Sequence, residues 1–185
     1  MVNYIVLFLV SACLVGGCSK QKRDPNLPIQ FCGQIIKTTA TEVLCYKKEF
    51  SDISDLQYLP LLEVALLDGM SVSDVSPLKN ATKLKTLSLM HSQVTDLTPI
   101  QHLPHVSVLN LIGTPLSDLK PVAKMPGLKH LELVHTKVSD IGPLMNMPQL
   151  EFVVLFNTAV TLDQVDQLQI KFPQLEIRFE NNERY

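Results

Sequence analysis

Residues 83–104 read KLKTLSLMHSQVTDLTPIQHLP, and residues 105–126 read HVSVLNLIGTPLSDLKPVAKMP. Laid one above the other, they place Leu87 over Leu109, Leu89 over Leu111, Asp96 over Asp118 and Pro99 over Pro121. Two apolar residues separated by a single position face the same way on an extended strand. An Asp at the head of a turn accepts otherwise orphaned amide hydrogens, and a proline three residues on keeps the helical turn short. Each stretch therefore reads as a strand followed by a short helical turn. One such unit cannot bury its own apolar face. Repetition in a fixed phase buries each unit against the next.

The same period of 22 extends in both directions, with segments starting at 39, 61, 83, 105, 127 and 149. Position 2 is Ala40, Leu62, Leu84, Val106, Leu128 and Leu150, and position 5 is Val43, Ala65, Leu87, Leu109, Leu131 and Val153. Position 7 is Cys45, Leu67, Leu89, Leu111, Leu133 and Leu155, and position 12 is apolar from Phe50 to Val160. Asp recurs at position 14 (Asp52, Asp74, Asp96, Asp118, Asp140) and Pro at position 17 (Pro77, Pro99, Pro121, Pro143). Six copies in phase, with no insertion until the last, mark a solenoid. The L-x-x-L-x-L core resembles the leucine-rich repeat. The short period with S/T-D-hydrophobic-x-P-hydrophobic resembles the internalin type found in bacterial surface proteins. The resemblance covers about residues 39–179. It implies an α/β chain folded as a right-handed leucine-rich-repeat solenoid, a horseshoe with a parallel concave sheet and short helical turns on the convex side. One departure is position 10, where the family's asparagine is replaced by Lys48, Met70, Ser92, Thr114, Thr136 and Thr158. The hydroxyls among these are expected to bond turn backbone in a less complete ladder.

Composition agrees with a single folded domain. The chain has 185 residues, 46% hydrophobic and 18% charged, which suits a packed core rather than disorder. A net charge of −2 lacks the basic face of a nucleic-acid binder. Aromatics are few and Trp is absent, so the core has to be aliphatic.

The beginning of the chain reads as an address. Tyr4 to Val15 is an uncharged apolar run, shorter than the roughly 20 residues that span a bilayer but suited to a secretory signal. It ends at Val15-Gly16-Gly17-Cys18 and turns abruptly polar. That ending resembles the lipobox of bacterial lipoproteins, which implies cleavage before Cys18, diacylglycerol on its sulfur and an acyl chain on its new amine. Val10-Ser11-Ala12-Cys13 is a second possible box with a shorter apolar region, and plain secretion with Cys18 as a thiol is a third reading. The resulting organisation is a signal peptide at 1–17, a tether at 18–28, a cap strand at 29–38, six repeats at 39–173 and a C-terminal cap at 174–185. The tether reaches at most roughly 35 Å, and its Lys20, Lys22 and Arg23 either favour anionic headgroups or are simply solvated. The expected location is extracytoplasmic, lipid-anchored to a bacterial membrane, the outer one in a diderm. In the last copy, Thr161-Leu162-Asp163-Gln164 resembles a capping box opening a helix through about Lys171, with a final strand over 174–179.

Cys32 and Cys45 remain after cleavage, thirteen residues apart. In an oxidising compartment they read as a disulfide stapling the cap strand to the first repeat; two buried thiols are the alternative, since Cys45 holds a core position. His91 and His135 share position 9 two repeats apart, about 10 Å from each other on strands spaced at 4.8 Å, too far for one zinc. One carboxylate per turn also falls short of the six to eight oxygens that calcium needs. No nucleophile, phosphate-loop or metalloprotease motif occurs, so no catalytic residue, cofactor or metal is assigned and the chain is read as a non-enzyme.

Positions 4, 6 and 8 face away from the core, onto the concave side. Position 8 is Tyr46, Asp68, Met90, Ile112, Val134 and Phe156, position 6 is Leu44, Leu66, Ser88, Asn110, Glu132 and Val154, and position 4 is Glu42, Val64, Thr86, Val108, His130 and Phe152. Met90, Ile112, Val134 and Phe156 form an unbroken apolar row, which Phe152 and Val154 widen beside His130. Such a patch on a solvent-facing sheet marks an interaction surface; a tail or loop of this same chain folded over the sheet, or tolerance of β-branched residues on strands, is the other reading. The expectation is a membrane-anchored module that binds a protein partner through this row; the alternative is a self-associating scaffold of the cell envelope, a homo-oligomer through the same residues.

Overall fold

The computed structural model describes residues 27–179. The apolar leader, Cys18 with most of the tether, and the polar tail after Phe179 lie outside the described residues.

The chain enters through a hairpin, β1 (Ile29–Phe31) and β2 (Gln34–Ile36), paired antiparallel. A single cap strand was expected over 29–38, and the structure corrects this to two. The cause is the two-residue turn Cys32-Gly33, where both residues take positive φ (54° and 78°), the geometry of a tight hairpin turn that glycine favours. Ile29 and Phe31 are buried against the first repeat while Ile35 points outward, 80% exposed. A disulfide joins Cys32 to Cys45 with the Cα atoms 5.9 Å apart, so the hairpin is stapled to the repeat that it covers.

Seven parallel strands follow in chain order: β3 (Glu42–Leu44), β4 (Val64–Leu66), β5 (Thr86–Ser88), β6 (Val108–Asn110), β7 (His130–Glu132), β8 (Phe152–Val154) and β9 (Glu176–Arg178). The register advances by 22 residues at each step through β8, as in Glu42↔Val64 and His130↔Phe152, and by 24 into β9, Phe152↔Glu176. The ladder continues past the strand ends. Position-7 amides donate to the position-6 carbonyl of the next repeat, as Leu89 to Asn110 and Leu111 to Glu132, both at 2.9 Å. Position-9 amides donate to the next position-8 carbonyl, as His91 to Ile112 at 2.7 Å and Gly113 to Val134 at 2.8 Å.

Position 9 has a backbone requirement of its own. Gly69, His91, Gly113, His135 and Asn157 all have φ between 53° and 69°, a left-handed conformation open chiefly to glycine and tolerated by Asn and His. His91 and His135 are thus placed by backbone geometry. At Gly113 a Cβ would collide with the His91 ring, so the imidazole of one repeat lies over the glycine of the next.

Positions 5 and 7 are buried in every repeat, and position 2 in all but the half-buried Ala40. The helical turns add three further apolar rows, represented by Leu97, Ile100 and Leu103 in the third copy. Fully burying one such side chain contributes about 1.5–3 kcal/mol, and stacking provides that burial for every unit at once. The turns themselves are short 3-10 helices at Ser54–Tyr58, Ser76–Leu78, Thr98–Ile100, Val122–Lys124 and Gly142–Asn146. Each position-14 aspartate accepts the amide hydrogen two residues on: Ser54, Ser76, Thr98, Lys120 and Gly142 donate to Asp52, Asp74, Asp96, Asp118 and Asp140 at 2.7–2.9 Å. The Ser54 amide and hydroxyl hold the Asp52 carboxyl below its ordinary value, and the Thr98 hydroxyl and amide do the same for Asp96.

At position 10 the Thr114, Thr136 and Thr158 hydroxyls donate to Leu111, Leu133 and Leu155 carbonyls, within their own repeats. They close turns rather than bridging copies. Ser92 is fully buried with its hydroxyl unpartnered among the described residues. The last unit ends in α1 (Leu162–Lys171), with Val165 and Leu168 buried. The capping-box hydrogen bond expected there does not form, since Thr161 makes no side-chain cap. Gln164 turns instead to the preceding repeat, accepting from the Ile141 amide (3.1 Å) and donating to the Ser139 carbonyl (3.0 Å). The architecture is the leucine-rich-repeat solenoid that the resemblance implies.

Candidate binding face

Strand alternation carries positions 4, 6 and 8 to the open face of the sheet, and with strands about 4.8 Å apart the row from Met90 to Phe156 is about 14 Å long. Met90, Ile112, Val134 and Phe156 are each half-buried, because flanking side chains at that spacing shield one another. All four carbonyls accept ladder hydrogen bonds from the preceding repeat, and the amides of the first two are held by side chains. The Asp68 carboxylate accepts the Met90 amide (3.1 Å) and the Ser88 hydroxyl, and Asn110 Oδ1 accepts the Ile112 amide (3.1 Å) while its Nδ2 donates to Glu132 Oε2 (2.9 Å). The polar groups beside the row thus spend much of their hydrogen bonding on the protein itself, leaving an apolar strip with fixed edges.

The C-terminal end of the face is aromatic and charged. The His130 and Phe152 rings lie 5.9 Å apart at 58°, and the Arg178 guanidinium sits 5.0 Å from the Phe152 centroid on the neighbouring strand. Arg178 is held by Glu176 at 2.9 Å. Below them Lys129 pairs with Glu151 at 2.7 Å, with His130 Nε2 at 3.8 Å from the same carboxylate. The hydrogen bond from Lys129 holds the Glu151 carboxyl below its ordinary value, as Lys85 does for Glu63 on the same edge of the face. A cation over an aromatic face attracts it through the ring quadrupole, so Phe152 presents a ring already oriented between its neighbours.

Val154, expected to widen the patch, is buried at 8% exposure. It occupies position 6 of β8, directly beside Arg178 of β9, and the long side chain of that neighbour accompanies its loss of solvent. Arg178 itself escaped the sequence reading because the last unit is longer, although aligning residues 174–179 as a truncated seventh copy reveals it at position 6. The other omission lies at the opposite end. Leu44 and Tyr46 are 46% and 60% exposed, more open than the apolar row, and Leu44 lines a cleft of ≈ 470 Å³ with Ile35. Their positions, 6 and 8 of the first copy, carried that signal. Among the described residues no group of three or more His, Cys, Asp or Glu side chains is arranged to hold a metal ion.

No family model matches this chain, and no curated protein sequence does. Solved structures share its fold. An internalin of Listeria monocytogenes, InlF, is 24% identical with a TM-score of 0.67, the match covering 81% of this chain and 46% of that one. A leucine-rich-repeat protein of Leptospira interrogans is 20% identical with a TM-score of 0.58, covering 74% and 42%. The functional domain of Listeria monocytogenes InlJ, described as including a cysteine ladder, is 15% identical with a TM-score of 0.63, covering 77% and 30%. The chain spans less than half the length of each. At these identities the likeness is one of fold.

Proposed function

We propose that this protein is a membrane-anchored, extracytoplasmic binding module that recognises a protein partner through the open face of its sheet. The observation that carries the reading is the row Met90, Ile112, Val134 and Phe156: four adjacent apolar side chains, still part-exposed, on a backbone held by ladder and side-chain hydrogen bonds. A rigid apolar strip with an aromatic and charged flank is how protein interfaces concentrate binding energy. The Cys32–Cys45 disulfide suits an oxidising compartment, and the Val15-Gly16-Gly17-Cys18 ending supplies the anchor. Resemblance of the repeats to those of bacterial surface proteins points the same way. The module has no enzymatic step.

The test is capture of an envelope partner by the full chain and by Ile112→Asp and Val134→Lys variants. Both reversals are expected to abolish capture while leaving the thermal midpoint unchanged. Undiminished capture by both variants sinks the reading. The second reading, a self-associating envelope scaffold, is favoured by the same row being self-complementary in its apolar character. Sedimentation of the purified protein separates the two, since a stable dimer lost on Ile112→Asp supports the scaffold.

A further inference from the structure

Large exposed apolar side chains are unevenly placed on this molecule. Leu27, Ile35, Leu44 and Tyr46 fall within the first twenty described residues, and the other two, Leu162 and Ile170, lie on α1 at the far end. Ile35 and Leu44 line one cleft, and Tyr46 follows Leu44 on the same face of the sheet. Charge is just as uneven. Residues 1–49 hold six lysines and arginines against three acids, so a chain of net −2 divides into +3 before Phe50 and −5 after it. Lys37, which lines the same cleft, and Lys47 and Lys48, which follow Tyr46, are exposed, three cations against the two exposed acids of this stretch, Glu42 in the cleft and Glu49.

We infer that the N-terminal end of the solenoid, through Leu27, Ile35, Leu44 and Tyr46, is a membrane-contact surface that rests on anionic phospholipid. The inference builds on the anchoring at Cys18 proposed above. Leu27 lies nine positions after Cys18, so this end stays within roughly 30 Å of the bilayer. Apolar side chains with a tyrosine and flanking lysines match the chemistry of the headgroup boundary, where apolar groups enter shallowly and cations meet lipid phosphates. The acidic remainder is repelled by the same surface. The Met90–Phe156 row then begins about 10 Å along the sheet from Tyr46 and ends about 25 Å from it, one strand spacing per repeat.

The absence of Trp from the sequence makes single-tryptophan reporters clean. Full-length protein carrying Tyr46→Trp or, separately, Ile170→Trp is reconstituted into vesicles of phosphatidylethanolamine and phosphatidylglycerol with brominated acyl chains. The expected result is a blue-shifted, strongly quenched emission from Tyr46→Trp and none of either from Ile170→Trp. Adding Ile35→Asp and Leu44→Asp to the Tyr46→Trp chain removes the quenching while the protein still floats with the vesicles. Equal quenching at both reporters, or none at Tyr46→Trp in protein that floats and carries lipid by mass, overturns the contact surface and leaves the anchor standing. Protein that neither carries lipid nor floats overturns both. A blue shift of Tyr46→Trp that grows with protein concentration without vesicles overturns the inference in favour of a second copy at this end.

Discussion

The two ends of the solenoid solve the same problem by different means. A stack of repeats exposes the apolar core at its first and last unit, and each exposure has to be covered. At the N-terminal end a two-stranded hairpin puts Ile29 and Phe31 over the core and is held by the Cys32–Cys45 bond. It leaves Ile35, Leu44 and Tyr46 in solvent. At the C-terminal end the sheet simply continues into β9, α1 buries Val165 and Leu168, and Gln164 ties the helix to the repeat before it. One cover is fastened by a covalent bond and the other by packing and side-chain hydrogen bonds, and each leaves apolar side chains open, Ile35 on the first and Leu162 and Ile170 on the second. A cap that need not bury its own surface is free to offer that surface elsewhere.

The contrast can be broken chemically at one end. Reducing the disulfide is expected to remove about 3 kcal/mol, the loop-entropy contribution for a bridge of this span, and to expose β3 and β4 amides to hydrogen exchange while those of β7 and β8 stay protected. Uniform loss of protection along the sheet would mean that the covers are not independent. The matching cut at the other end is Leu168→Ala, which removes a fully buried side chain. About 2–3 kcal/mol is expected, towards the lower part of the range for such changes because a terminal helix can settle into the gap. The urea midpoint falls, and fast exchange appears first in α1 and β9.

The smallest effect sharpens the comparison by touching neither end. Asp96 caps the central turn, and Asp96→Ala is expected to lower stability by about 1 kcal/mol. Its folded carboxyl titrates below the ordinary value because of Thr98. The unfolded chain therefore binds the proton first as pH falls, so the stabilisation is complete at neutral pH and fades below pH about 4. Asp96→Asn, which keeps the acceptor oxygen, should show a flatter acid dependence of the thermal midpoint than the parent; an unchanged slope would assign the acid sensitivity to other groups.

Most of the fold was legible because strand and turn periodicities are both local. Leu87 and Leu89 declare a shared face, and Asp96 with Pro99 declares a short turn, without reference to anything distant. The missed elements depend on neighbours. The hairpin turn was signalled only by Gly33, and the left-handed position 9 only by noticing that Gly69, Gly113 and Asn157 share a column with His91 and His135. The candidate face was legible as a set of outward positions, yet not in its exposure. Val154 became buried beside Arg178, whose place depends on the register shift of 24 into β9, and Leu44 stayed open because no parallel strand precedes β3.

An unbroken step of 22 from β3 to β8 makes the interior units interchangeable in outline. Gain or loss of a whole unit lengthens or shortens the molecule by one strand width and keeps the inward and outward positions of the other units, whereas removal of a single residue within a strand turns the rest of that strand's side chains to the opposite face. Copy number is therefore a quantity that can change without redesign of the other units, and with it the length of the sheet's open face.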